Sequence, residues 1–170
     1  RIPSPDIYLG AGSGTHAEQT AKIMTEFEKI CFQKKTDLVL VVGDVNSTLA
    51  CSVVASKLLI SVAHVEAGLR SFDRTMPEEI NRIVTDALSE YLFTTCQDAN
   101  ENLKKEGISE SKIYFVGNVM IDTLLRFREI ASFRVKKFDK LKKGEYGVLT
   151  LHRPSNVDYK ANFLSIFEAL

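Results

Sequence analysis

The chain switches repeatedly between two spacings of hydrophobic residues, one typical of β-strands and one typical of α-helices. Residues 37–42 carry a continuous apolar run that ends at Gly43, which predicts a strand buried on both faces of a parallel sheet. Similar runs predict strands at residues 60–65, 91–94 and 113–116, and another, after a gap, at residues 146–151.

The segments between these runs have helical spacing. The strongest helix signal follows Pro77, a favoured first helical residue, and consists of Ile80, Ile83, Val84, Ala87 and Leu88. Thr15 and Glu18 have the spacing of a capping box, Gly107 ends a shorter helix, and Asn118 is expected to cap another. The strict alternation of strands and helices predicts an α/β fold with a Rossmann-like, doubly wound parallel sheet.

The alternation lapses between residues 131 and 144, a basic stretch that is typical of a solvated linker. We expect residues 1–130 to form most of one Rossmann-like domain and residues 145–170 to begin a second. The helical spacing of residues 163–170 stops without a capping residue, so we expect the chain to be a fragment of a longer protein.

Composition narrows the class of protein. Lys+Arg and Asp+Glu each total 22 among the 170 residues, which argues against a nucleic-acid partner. No apolar run approaches the roughly 18 residues of a membrane span. The 3 cysteines are odd in number and far apart, which favours reduced thiols in a cytoplasmic protein over a disulfide framework or a metal site.

Ionisable side chains follow several of the predicted strands. Asp44, Glu66 and His152 each stand near the end of an apolar run, and ligands of parallel α/β sheets bind beyond the carboxyl ends of the strands. Each residue also has a structural interpretation: Asp44 as a helix cap, for example. His64 is interpreted as a packed histidine rather than a catalyst.

Two further groups have both a functional and a structural interpretation. Glu78 can pair with Arg82 four residues later, and Arg70 can either bind a phosphate or form a surface salt bridge.

Carboxylates and a histidine at one edge favour proton abstraction from a weak carbon acid, with stabilisation of a leaving anion. The residues thus indicate an α/β enzyme with an anionic, nucleotide-bearing substrate.

Five short motifs make this interpretation more specific. They occur in one order, from about residue 15 to residue 170, as Gly43-Asp44-Val45-Asn46-Ser47, His64-Val65-Glu66-Ala67-Gly68-Leu69-Arg70-Ser71, Met76-Pro77-Glu78-Glu79-Ile80-Asn81-Arg82, Val116-Gly117-Asn118 with Ile121-Asp122-Thr123-Leu124, and Leu149-Thr150-Leu151-His152-Arg153-Pro154-Ser155-Asn156. Together they resemble the non-hydrolysing UDP-N-acetylglucosamine 2-epimerases.

The resemblance implies a two-domain architecture of the glycosyltransferase B type, with the active site between two Rossmann-like domains. It implies interconversion of UDP-N-acetylglucosamine and UDP-N-acetylmannosamine through C2 proton removal, elimination of UDP to 2-acetamidoglucal, and re-addition of UDP. No metal or other cofactor is implied. The expected protein is a cytoplasmic homodimer that supplies surface polysaccharide synthesis and has neither nucleic acid nor membrane as a partner.

The resemblance also implies the site residues. It selects Glu78 over its neighbour Glu79, and consecutive helical residues point about 100° apart, so only one of them can face a cleft. His152 and Arg153 would stabilise the diphosphate. The implied catalytic residues are Asp44, Glu66, Glu78 and His152, and the implied substrate-binding residues are Arg70, Arg153 and Asn118.

The resemblance is incomplete, and other functions stay open. The family's first strand and most of its second domain have no counterpart, so we expect the 170 residues alone not to epimerise. The alternatives are a hydrolysing epimerase that releases N-acetylmannosamine and UDP, a glycosyltransferase of the same architecture, and a catalytically inactive sugar-nucleotide-binding fragment.

Overall fold

A computed structural model describes residues 3–134, 142, 144–151 and 154–170. The contacts divide the chain into two compact units, one that ends at Thr123 and one that runs from Leu124 to Leu170. Within the described ranges, no helix has the length and apolar character required to cross a membrane.

The first unit is built on a parallel sheet of four strands in the order β1-β2-β3-β4. The predicted α/β, Rossmann-like class is therefore confirmed, and each of the first four predicted strands is found. The strands are β1 (Leu38–Val42), β2 (Ser61–Ala67), β3 (Tyr91–Thr94) and β4 (Ile113–Phe115).

Helices connect these strands, and two predicted caps are confirmed. The Thr15 hydroxyl accepts from the Glu18 N–H at 3.2 Å, and the Glu18 carboxylate accepts from the Thr15 N–H at 2.9 Å. The Asn118 carbonyl oxygen Oδ1 accepts from the Met120 N–H at 2.9 Å. The helices are α1 (His16–Gln33), α2 (Asn46–Lys57), α3 (Pro77–Leu88), α4 (Gln97–Lys105) and α5 (Val119–Arg134), with a 3₁₀ turn at Glu110–Lys112.

Strand β1 is buried on one face only, so the prediction of burial on both faces is wrong. Val39 and Val41 are buried in a cluster with residues of α2 and β2, whereas Leu38, Leu40 and Val42 are 46%, 58% and 54% exposed. The strands follow one another in a single direction across the sheet. Right-handed crossovers in one direction place their helices on the same face, so the other face of β1 receives no helix from the described residues of this unit.

The second unit contains the later part of α5, α6 (Pro154–Val157) and α7 (Lys160–Glu168). Residues 146–151 form no strand, so that prediction is wrong, and Tyr146 and Val148 are 52% and 82% exposed. A strand needs a neighbour to pair its backbone groups, and the described part of this unit supplies none. Most of the predicted basic linker lies outside the described residues.

Candidate active site

Asp44 stands directly after β1, where helix α3 approaches the edge of the sheet. Its carboxylate forms an ion pair with Arg82, and its backbone oxygen accepts a hydrogen bond from the Asn81 amide at 2.8 Å. The side chain is 29% exposed, so the carboxylate is held by a cation and still reaches solvent. Asp44 does not cap α2, because the residue at the N-cap position of this helix is Val45.

Glu66 lies at an irregularity in β2, where the pairing register with β3 shifts between Val65 and Ala67. Its φ of 76° is in the left-handed region, which a side chain larger than glycine rarely adopts. A bulge of this kind re-aims a side chain, and here Glu66 Oε2 lies over Gly43, 3.7 Å from where a Cβ would stand. The Glu66 carboxylate therefore lies beside Gly43, the residue before Asp44, at the carboxyl edge of β1 and β2.

The Glu66 carboxylate has an unusual environment for a half-buried anion. No residue in the described ranges donates a hydrogen bond to it or forms an ion pair with it. Backbone strain concentrates at functional sites, where the surrounding fold maintains it. A strained glutamate with an unpaired carboxylate at a ligand-binding edge is available for proton transfer.

Glu78 and Glu79 occupy the first turn of α3 but have different environments. Glu79 is 1% exposed and accepts hydrogen bonds from the Ser71 and Phe72 N–H groups, both at 2.9 Å, and from Arg82 at 3.0 Å. Burial raises the pKa of Glu79, but the hydrogen bonds from Ser71, Phe72 and Arg82 outweigh it, so the net pKa is lowered. Glu78 is half-buried and has no such partner among the described residues.

Arg82 does not pair with Glu78, which was one interpretation of the sequence. It bridges Glu79 and Asp44 instead. Glu79 therefore fixes the loop before α3, and Glu78 is the glutamate of this pair that remains free to act on a ligand.

Arg70 points into the protein rather than toward solvent. Its side chain is 1% exposed, Nε and Nη2 donate to Glu106 at 2.8 and 2.6 Å, and Nη1 lies 2.8 Å from Asp86. The Leu69 carbonyl accepts a further bond from Nη1 at 2.7 Å. Because its guanidinium is enclosed by these acceptors, Arg70 does not present it to a phosphate in this structure.

His64 is buried, in agreement with its interpretation as a packed histidine. Its side chain is 0% exposed, Nδ1 lies 2.6 Å from Asp86 Oδ1, and Nε2 lies 2.9 Å from the Gly43 carbonyl oxygen. A carbonyl can only accept, so Nε2 carries a hydrogen. His64 thus connects α3 to the residue before Asp44.

The remaining predicted site residues are described only in part. Asn118 uses Oδ1 to cap α5, which leaves its N–H groups for a ligand. His152 and Arg153 lie outside the described residues. In the part of the chain that the structure describes, no three His, Cys, Asp or Glu side chains form a group that could hold a metal ion.

Three residues of this edge were missed by the sequence analysis: Asn81, Arg82 as the partner of Asp44, and Asp86. The Asp44–Arg82 pair is 38 positions apart, so no local spacing indicates it. The available signal was the polar content of the helix, since every residue that α3 buries is polar: Glu79, Asn81, Thr85 and Asp86.

Fold and site together define a Rossmann-like α/β protein with its acidic residues at the carboxyl edge of a parallel sheet, where such folds bind their ligands. A family model described as UDP-N-acetylglucosamine 2-epimerase matches residues 1–170. The chain belongs to this family.

Relatives and solved structures agree with this assignment. The chain is 50% identical to a UDP-N-acetylglucosamine 2-epimerase of Methanocaldococcus jannaschii, over 99% of this chain and 47% of the relative. It is 44% identical to a UDP-2,3-diacetamido-2,3-dideoxy-D-glucuronate 2-epimerase of Pseudomonas aeruginosa, over 99% of this chain and 48% of the relative.

The solved structure of the M. jannaschii UDP-GlcNAc 2-epimerase in complex with UDP-GlcNAc and UDP matches with a TM-score of 0.89 and 51% identity, over 98% of this chain and 47% of that one. The chain therefore spans about half the length of the curated relatives it matches.

Proposed function

We propose that the complete gene product is a non-hydrolysing UDP-N-acetylglucosamine 2-epimerase, which interconverts UDP-N-acetylglucosamine and UDP-N-acetylmannosamine. The observation that carries this proposal is the family match over residues 1–170. The geometry at the carboxyl edge supports it, because the Glu66 carboxylate lies beside the residue before Asp44 and has no hydrogen-bond or ion-pair partner among the described residues.

The reaction requires two proton transfers at one carbon. A carboxylate base removes the C2 proton, the C2–H electron pair forms the C1–C2 double bond, and the C1–O bond to the diphosphate breaks with its electrons on UDP. The enzyme-bound 2-acetamidoglucal is then protonated at C2 on the opposite face, while a diphosphate oxygen attacks C1. Charge and atoms balance without an external reactant.

The proposed catalytic residues are Asp44, Glu66, Glu78 and His152. One carboxylate acts as base at C2 and another acts as acid on the opposite face, so at least two carboxyl groups must reach the same carbon from different sides. The positions of Asp44 just after β1, of Glu66 in the adjacent strand β2 and of Glu78 in the first turn of α3 support this arrangement. His152 stabilises the departing diphosphate.

The proposed substrate-binding residues divide into two groups. Arg153 and Asn118 contact the substrate, and the N–H groups of Asn118 that capping leaves unused support this role. Arg70 acts through the protein, since Glu106 and Asp86 enclose its guanidinium. Its function is to hold Asp86 in place behind the site.

A second substrate is favoured by one specific observation. The P. aeruginosa relative, at 44% identity, is named for epimerisation of UDP-2,3-diacetamido-2,3-dideoxy-D-glucuronate. That substrate keeps the 2-acetamido group and the diphosphate leaving group, so the same carboxylates would serve it. The two candidates differ in the groups at C3 and C6.

We also propose that the enzyme acts as a homodimer in the cytoplasm and supplies a precursor for surface polysaccharide. Membership of the family supports these assignments. The cysteines Cys31, Cys51 and Cys96 are all free thiols, which is compatible with a reducing compartment.

Product analysis tests the function. The complete gene product is incubated with UDP-N-acetylglucosamine or with UDP-2,3-diacetamido-2,3-dideoxy-D-glucuronate, and the products are separated by ion-exchange chromatography. We expect a UDP-linked manno epimer from the first substrate. Free N-acetylmannosamine with UDP would instead identify the hydrolysing branch, turnover of the second substrate alone would change the substrate, and no product from either would contradict catalysis.

A further inference from the structure

We propose that the buried His64–Asp86 pair is a positioning device that fixes Asp44 and Glu66 relative to each other. The inference rests on the proposed function, since these are two of the carboxylates to which that function assigns catalysis. Neither His64 nor Asp86 reaches a ligand itself, because their side chains are 0% and 1% exposed.

The pair holds the backbone on the Asp44 side. His64 Nε2 donates to the Gly43 carbonyl oxygen at 2.9 Å, and that carbonyl belongs to the peptide group that joins Gly43 to Asp44. The Gly43 N–H donates to the Val65 carbonyl at 3.0 Å. Both peptide groups of Gly43, whose φ is 72°, are therefore tied to β2, and Asp44 enters the site in one fixed direction.

The same pair holds the backbone on the Glu66 side. Asp86 Oδ2 accepts from the Gly68 N–H at 3.1 Å, and the Gly68 carbonyl accepts from the Asn102 amide at 3.0 Å. Glu66 thus lies two residues before a fixed glycine and one residue after Val65, which receives the Gly43 hydrogen bond. The strained backbone of Glu66 is anchored on both sides.

Asp86 is itself held by the cation behind it. Arg70 Nη1 lies 2.8 Å from Asp86 Oδ2, and Glu106 receives the other nitrogens of the same guanidinium. Two buried charges are favourable only when their remaining hydrogen-bonding groups are satisfied, and this network satisfies them. A rigid connection therefore runs from α4, through Asp86 and His64, to the residue before Asp44.

Two substitutions of His64 each remove one of its two hydrogen bonds and keep the other. In H64Q the amide nitrogen stands near the former Nε2 and can donate to Gly43, while the bond to Asp86 is lost. In H64N the amide nitrogen stands near the former Nδ1 and can donate to Asp86, while the bond to Gly43 is lost. Both replacements are neutral amides, so they differ mainly in which bond they keep.

We expect H64N and H64Q to rank in one order for stability and in the opposite order for activity. H64N keeps the charge-assisted bond and is expected to be the more stable variant in urea unfolding. H64Q keeps the bond to Gly43 and is expected to exchange the C2 proton on the order of ten-fold faster than H64N, because small displacements of catalytic groups cost large factors in rate. A merely structural role predicts that activity follows stability.

The readouts are C2 exchange in D2O, the dissociation constant for the UDP-sugar, and amide hydrogen exchange over residues 43–48, all on the complete gene product. T85V is the matched control, since the Thr85 hydroxyl is buried on α3 and has no hydrogen-bond partner in the described part of the chain. We expect T85V to exchange like the wild type, and H64N to loosen residues 43–48 without weakening UDP-sugar binding.

Failure of this inference and failure of the proposed function give different results. A wild-type enzyme without C2 exchange refutes the function, and amide exchange then decides the positioning alone. Faster amide exchange in H64N than in H64Q supports the positioning. Equal amide exchange in the two variants, or C2 exchange in H64N as fast as in H64Q, overturns it.

Discussion

Replacing each of the neighbouring glutamates in α3 by glutamine separates a structural carboxylate from a proposed catalytic one. Glu79 accepts two backbone N–H bonds and one from Arg82, at 2.9, 2.9 and 3.0 Å, and is 1% exposed. Glu78 is half-buried with no such partners among the described residues. We expect E79Q to lose stability and E78Q to lose activity.

The size of the E79Q effect follows from these contacts. A hydrogen bond to a charged group contributes about 1.5–3 kcal/mol. Glutamine keeps one acceptor oxygen but turns an N–H group toward a backbone N–H, so one bond is lost and the Arg82 ion pair is weakened. The expected loss is about 2–4 kcal/mol, which corresponds to roughly 6–12 °C in Tm for a chain of this size.

The effect also has a predicted pH dependence. The pKa of Glu79 in the folded protein is lowered below its ordinary value of 4.5, so its stabilisation is complete above that pH and is lost as the pH falls through the lowered pKa. The difference in unfolding free energy between wild type and E79Q is therefore expected to be constant near neutral pH. It narrows when the pH is brought below 4.5.

The assay is urea unfolding of both variants at pH 7 and at acid pH, together with epimerisation rates of the same variants in the complete gene product. E78Q is the matched control, with unfolding expected within about 0.5 kcal/mol of wild type and a rate reduced by about 10²–10⁴-fold. If E79Q unfolds like the wild type, or if E78Q epimerises like the wild type, the division of roles between these two residues is refuted.

Three further predictions concern the backbone and one thiol. Leu59 follows α2 with a left-handed φ of 59° and is 93% exposed, so its backbone is strained without compensating burial. We expect L59G to raise the free energy of unfolding by about 0.5–1 kcal/mol in urea; a lower value would refute the strain. A Cβ on Gly68 would lie 2.5 Å from the Ala99 carbonyl oxygen, whereas one on Gly107 would meet nothing within 4 Å. We therefore expect G68A to be less stable than G107A by about 1–3 kcal/mol; equal unfolding midpoints would contradict this packing. Burial raises the pKa of Cys51 to about 11. At pH 8 we expect the Cys51 thiol to react with iodoacetamide far more slowly in the folded protein than in urea, as measured by mass spectrometry of labelled peptides. Equal rates would refute the burial.

The sequence predicted the first four strands because each is a short apolar run between turns, but it did not predict how they are covered. Strand β1 was expected to be buried on both faces, and Leu40 is 58% exposed. Whether a face is covered depends on where the connecting helices pack, which is a property of strand order rather than of the strand itself. The predicted strand at residues 146–151 failed for a related reason, since it has no neighbour in the described part of its unit.

Two helices show where periodicity stops being informative. No apolar stripe was identified for helix α2, because it contacts both α1 and α3 and buries small residues such as Ala50, Ser52 and Ala55. Helix α3 was predicted from its apolar stripe, yet it buries Asp86 and leaves Ile80 40% exposed. Its polar side faces inward because it supplies the hydrogen bonds of the site.

The strand ends placed Asp44 and Glu66 at one edge of the sheet from the sequence alone, and in the structure the Glu66 carboxylate lies beside Gly43, the residue before Asp44. Their partners could not be predicted. Arg82, 38 positions from Asp44, was assigned to Glu78 because helical neighbours are the pairs that a sequence makes visible. Arg70 was expected either to bind substrate or to form a surface salt bridge, since the sequence does not reveal the carboxylates that enclose it.

Deuterium incorporation at C2 reports on proton transfer by Asp44, Glu66 and Glu78. The complete gene product is incubated with UDP-N-acetylglucosamine in D2O and followed by proton NMR, alongside D44N, E66Q and E78Q. We expect loss of the C2 proton signal, appearance of a manno-configured UDP-sugar carrying deuterium at C2, and slowing of both in each variant. Epimer formation with the C2 proton retained, or wild-type exchange in all three variants, would contradict proton transfer by these carboxylates.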